Sequence, residues 1–99
     1  MTIDKTQENG KLILALHGRL DTITSPRLQE ALIPALDEAK EVLLDFSNVA
    51  YISSAGLRVL LVGQKTANAK GASLSVSGVS EEVMEVLDMT GFSDILTIV

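Results

Sequence analysis

Two adjacent hydroxyls, Ser53 and Ser54, stand where a long apolar-rich segment begins, and they are the residues of this chain best placed to do chemistry. Taking Ser53 as the N-cap of a helix puts Ile52 at N′ and Leu57 at N4, the two positions whose side chains form a hydrophobic staple, and makes Ser54 the first helical residue. Capping alone would explain a pair of small polar residues there. The same position also suits modification. A phosphoryl group on Ser54 would add about −1.5 to −2 charges at a helix start, where unpaired N–H groups and the helix dipole favour an anion. A partner docked over that helix end would meet a new bulky charge, so binding could be switched without unfolding the domain.

Other constellations fail. The lone His17 ends a strand, and no G-x-S-x-G motif accompanies it to suggest a nucleophile and base. Neither G-x-x-x-x-G-K-[ST] nor G-x-G-x-x-G occurs, which removes the familiar phosphate-cradling loops and with them support for nucleotide binding. Asp88 and Asp94 flank Gly91 without the spacing of a calcium loop. Glu81, Glu82 and Glu85 read as the solvated start of a helix. Zero Cys excludes disulfides, thiolate zinc sites and thiol catalysis. The expectation is a protein that is not an enzyme and uses no cofactor or metal.

Ninety-nine residues allow one core, and with 3% aromatics and no Trp that core must be aliphatic. A net charge of −5 opposes nucleic acid or an anionic membrane as the partner, and no basic patch offsets it. The first residues, MTIDKTQENG, lack a signal-peptide pattern, and no segment approaches the ~20 apolar residues of a membrane span, so a cytoplasmic location is expected.

The elements that must position the serines follow from periodicity. Asn9-Gly10 between Thr2–Glu8 and Lys11–His17 predicts a hairpin, with the first arm at the sheet edge and the second, apolar on both faces, inside the sheet. Gly18 to Thr24 reads as a loop. Ser25-Pro26 predicts a helix start, with Leu28, Ala31, Leu32, Ala35, Leu36 and Ala39 on one stripe and a kink at Pro34. Glu41 to Phe46 is a strand, and a helix runs from Ser54 to about Lys70, ended by Gly71. In it Leu57, Leu60 and Leu61 share one stripe and Val59 and Val62 another. Ala72 to Ser77 alternates as a strand, Ser80 caps a short helix ended by Gly91, and Ile95 to Val99 forms a last strand. The order β-β-α-β-α-β-α-β predicts an α/β domain over residues 1–99 with a mixed four- to five-stranded sheet, its later strands largely parallel.

The stretch Leu44-Asp45-Phe46-Ser47-Asn48-Val49-Ala50-Tyr51-Ile52-Ser53-Ser54-Ala55-Gly56-Leu57 resembles the signature of the STAS domain of bacterial anti-sigma-factor antagonists. Gly18-Arg19-Leu20-Asp21 matches that family's G-x-L-D turn, Thr90-Gly91-Phe92 resembles its late helix-to-strand turn, and the likeness extends over nearly the whole chain.

The resemblance implies partner switching. The unphosphorylated antagonist binds a serine kinase of the GHKL ATPase type that doubles as an anti-sigma factor or similar regulator, and so frees that regulator's other client. The kinase then phosphorylates a serine at the helix start, and a metal-dependent serine phosphatase reverses the step. The family motif commonly reads Asp-Ser-Ser/Thr-Gly. Aligned on Gly56, the acceptor is Ser54, with Ser53 the runner-up; Ser53 replaces the Asp and Ala55 the following Ser/Thr. Asp21 corresponds to the family's loop aspartate, either capping loop N–H groups or contacting the kinase. Tyr51, Ile52, Ser53, Ser54, Gly56, Leu57 and Arg58 would frame the interface of a protein that is a monomer when free. The alternative is a constitutive STAS interaction subunit of a transport assembly.

Overall fold

Asn9 and Gly10 both adopt positive φ, 50° and 81°, and so form the tight turn that joins strand β1 (Thr2–Glu8) to strand β2 (Lys11–His17) in antiparallel register. A computed structural model describes residues 1–99. Helix α1 (Ser25–Glu38), strand β3 (Glu41–Asn48), helix α2 (Ser54–Lys70), strand β4 (Ser73–Ser77), helix α3 (Glu81–Thr90) and strand β5 (Thr97–Ile98) follow. The five strands lie in the order β1-β2-β3-β4-β5, with every pair after the hairpin parallel. That is the mixed α/β sheet the alternation of elements requires.

Strand register decides where the core lies. Leu12, Val42 and Leu74 stand side by side across three strands, as do Leu14, Leu44 and Val76, and all six are buried. The helices supply the opposing layer with Leu28, Leu32 and Leu36 from α1, Leu57 and Leu60 from α2, and Val83 and Leu87 from α3, in one continuous cluster. The residues between them in the strands, among them Ile13, Ala15 and Leu43, point to the other face and remain half-buried. Strand β2 is inside the sheet as expected, but only one of its two apolar faces is covered by helices.

Three boundaries differ from the sequence reading. Ser25 does not cap α1; Thr24 holds the N-cap position, and the chain is already turning there because Asp21 and Thr24 bond reciprocally. Strand β3 continues through Ser47 and Asn48. The last strand is reduced to Thr97–Ile98, because Phe92–Asp94 winds into a 3-10 turn and its continuation draws the Ile95 and Leu96 N–H groups to the Phe92 carbonyl. Helix α1 runs unbroken through Pro34. The 17 residues of α2 span about 25 Å, and Gly71 ends the helix at φ 68°.

Candidate functional site

Past the ends of β2 and β3, the segments 18–21 and 48–53 continue to pair. The Gly18 N–H donates to the Asn48 carbonyl at 3.1 Å, the Leu20 N–H to the Tyr51 carbonyl at 3.0 Å, and the Ser53 N–H to the Leu20 carbonyl at 2.9 Å. Leu20 and Ile52 form a parallel bridge, and both side chains enter the core. This short zipper ties the G-x-L-D turn to the residues that open α2. Gly56 completes the joint. A Cβ there would sit 2.8 Å from both Leu20 Cγ and Ile52 Cγ1, so only glycine lets the first turn of α2 close on the two loops.

Asp21 is the loop's organiser. Its Oδ1 accepts the N–H groups of Ile23 and Thr24, each at 3.0 Å, while its own N–H donates to Thr24 Oγ1 at 2.9 Å. This reciprocal arrangement has the logic of a capping box and starts the turn that leads into α1. The Thr24 N–H is the main cause that holds the Asp21 carboxyl below its ordinary pKa. Desolvation opposes it, and the Thr24 hydroxyl, the Ile23 N–H and Arg19 add to the lowering. Oδ2 is outside this cap and lies 3.8 Å from Arg19 Nε. The Arg19 guanidinium in turn covers the Tyr51 ring at 4.0 Å, a cation–π contact.

The start of α2 is electrostatically bare. Ser53 is at the N-cap position, but its hydroxyl makes no capping bond, and its Oγ is buried without a partner. No acidic residue lies in the first turn. The Leu57 N–H takes the Ser53 carbonyl at 3.0 Å, while the N–H groups of Ser54, Ala55 and Gly56 find no acceptor within the chain. The start of α3 differs: Ser80 Oγ accepts the Val83 N–H at 3.2 Å, and Glu81 and Glu82 stand in its first turn. An added anion would therefore be welcomed at Ser54 and opposed at Ser80.

Of the residues expected at an interface, Asp21, Tyr51, Ser53, Ser54 and Arg58 reach or border the surface. Ile52, Gly56 and Leu57 do not. They are buried, packed into the core beneath the zipper and the helix start. Two exposed neighbours escaped the sequence reading. Ile23 is 86% exposed on the same loop as Asp21, and its signal was a single aliphatic residue among polar loop neighbours. Arg19 fills the variable position of the G-x-L-D turn, so no pattern in the sequence marks it. Beside the site, a groove of about 690 Å³ separates α1 from α2, lined on one wall by Ser25, Glu30 and Ile33 and on the other by Ala55, Arg58 and Val59.

A mixed sheet with helices over one face, joined by two paired loops to an exposed serine on a helix start, defines the class of protein to which the chain should be compared. The chain belongs to the STAS domain family, whose sequence pattern matches residues 2–99. It is 35% identical over 80 residues to an anti-sigma-B factor antagonist of Staphylococcus epidermidis, covering 80% of this chain and 74% of the relative. It is 28% identical over 98 residues to the anti-sigma-B factor antagonist of Bacillus subtilis, covering 99% of this chain and 90% of that one. In fold it is similar to the anti-sigma factor antagonist SpoIIAA of Bacillus. The TM-score is 0.82 to the unphosphorylated form (14% identity, 99% of this chain and 88% of that one) and 0.75 to the phosphorylated form (13% identity, 99% and 91%).

Proposed function

We propose that this chain is an anti-sigma-factor antagonist working by partner switching, with Ser54 as the phosphoacceptor. In its unphosphorylated state it binds a serine kinase that also serves as an anti-sigma factor. Ser54 Oγ then attacks the γ-phosphorus of the kinase's ATP. The new O–P bond forms as the bond to the bridging oxygen breaks, ADP leaves, and the hydroxyl proton passes to a base on the kinase. A metal-dependent serine phosphatase restores the hydroxyl by hydrolysis. The chain supplies an acceptor and a surface, and the kinase supplies the catalysis, in the cytoplasm where both would be found.

The observation that carries this reading is the contrast between two neighbouring hydroxyls: Ser54 is exposed, whereas Ser53 Oγ is buried. Rigidity adds to it, since the zipper and Gly56 hold the acceptor in one place. Asp21, Ile23, Tyr51 and Arg58 give the partner two charges and two apolar contacts around Ser54. To reverse occupancy from 99:1 to 1:99, the phosphate must remove ~5.5 kcal/mol of affinity, which desolvating a doubly charged group against an acidic or apolar partner can provide.

The test is phosphorylation by the cognate kinase and ATP followed by mapping of the modified peptide. Ser54→Ala should abolish incorporation while Ser53→Ala retains it, and full labelling of Ser54→Ala would refute the assignment. Recovery of a transporter ATPase in place of a kinase from the native cell would favour a constitutive subunit instead.

A further inference from the structure

Arg58 lies one helical turn beyond Ser54, at i+4 on α2, and both residues are exposed. Residues so spaced bring their side chains together on one face of a helix, with Cβ atoms about 5–6 Å apart, and an anion placed N-terminal to its cation is the more favourable orientation. Arg58 is also unengaged. The ion pairs of the chain hold Lys5, His17, Arg19 and Lys70, and the Arg19 guanidinium is further committed to the Tyr51 ring. Glu30 is the one carboxylate that lines the α1–α2 groove with Arg58, and it forms no ion pair with it.

We propose that Arg58 is the intramolecular receptor of the Ser54 phosphate: once modified, Ser54 and Arg58 form an ion pair along α2 that fixes the phosphoryl group on the helix face. This rests on Ser54 being the phosphoacceptor. A guanidinium suits the role because its planar fork can bond two phosphate oxygens at once, whereas an ammonium offers only a point charge. The pair has two consequences. It favours the dianion over the monoanion, so the phosphate carries its full charge at a lower pH. It also withdraws Arg58 from the surface offered to a partner, so modification both adds a negative charge and removes a positive one from the interface.

The experiment uses the full chain with phosphoserine genetically encoded at position 54, so that no kinase is required and failure of the kinase assignment is read separately, by the peptide mapping described above. Phosphorus NMR titration gives the second pKa of the phosphate. Arg58→Gln should raise it by about 0.3 pH unit, a twofold change in acidity at the scale of intrahelical ion pairs, and Arg58→Lys should raise it by less. The difference between wild type and Arg58→Gln should shrink at 1 M salt, as expected for a solvent-exposed pair. Arg58 is exposed, so these variants retain the core, and an unphosphorylated Arg58→Gln control with unchanged melting temperature verifies this. Equal phosphate pKa values in wild type and Arg58→Gln, or equal shifts in Arg58→Lys and Arg58→Gln, would overturn the proposal.

Discussion

Replacing Gly56 with alanine sets two well-understood effects against each other in the first turn of α2. Helix propensity alone makes Gly→Ala favourable by up to ~1 kcal/mol, since alanine has fewer unfolded conformations to lose. Packing opposes it. The new methyl would lie 2.8 Å from Leu20 Cγ and Ile52 Cγ1 and 3.1 Å from Leu20 Cδ2. The first two atoms are not the free ends of flexible side chains, and their residues are 0% and 5% exposed, so neither can swing into solvent. Overpacking of this kind costs ~1–3 kcal/mol, and contact with two confined residues puts Gly56 at the upper end. The net expectation is a loss of about 2 kcal/mol, or about 8–16 °C in Tm for a domain of this size. Urea and thermal unfolding followed by circular dichroism measure it directly. Because Leu20 precedes Asp21 and is zipped to Tyr51 and Ser53, the displacement should also spread to both loops, visible as amide shift changes from 18 to 24. An unchanged or raised Tm would refute the argument that Gly56 is present for close approach.

The two serine caps should behave unequally. Ser80→Ala loses the bond to the Val83 N–H and should cost about 1 kcal/mol in urea unfolding, whereas Ser53→Ala loses no bond and should cost less than about 0.5. Ile23→Ser should leave Tm unchanged but weaken kinase binding about fivefold or more by calorimetry, because the side chain is exposed in the free protein and has nothing to lose on folding. Asp45, like Asp21, is held below the ordinary carboxylate value of 3.8, chiefly by the Ser47 hydroxyl and then by the Ser47 N–H, against desolvation and with a smaller contribution from His17. A lowered folded-state pKa gives stability that is complete above the unfolded value and is lost as pH falls through the folded one. Asp45→Asn should therefore be less stable than wild type at pH 7, and the gap should narrow below pH 3.8; a gap independent of pH would contradict this.

Short-range rules were enough for much of this protein. The hairpin at Asn9-Gly10, the end of α2 at Gly71, the cap of α3 at Ser80 and the apolar stripe of α1 are each decided by the conformational preference or period of a few neighbouring residues, and such preferences are written in the chain. The serine pair at a helix start, and Ser54 as its first helical residue, were legible for the same reason. Misplaced boundaries arose where a longer contact intervened. Thr24 displaced Ser25 because Asp21 reaches three residues forward, and the last strand shortened because the chain after Gly91 winds once more before joining β4.

What tertiary structure alone decided is which side of each residue faces water. Ile52, Gly56 and Leu57 belong to the same motif as Ser54, yet they are buried because Leu20, more than thirty positions earlier, packs against the helix start. Ser53 and Ser54 have the same side chain in adjacent positions, yet the Ser53 hydroxyl is buried while Ser54 is exposed. Sequence determined that a modifiable hydroxyl would stand on a helix end, since capping is local. Which hydroxyl faces solvent, and that Arg58 makes no ion pair one turn further on, depended on contacts between distant segments, which no local preference specifies.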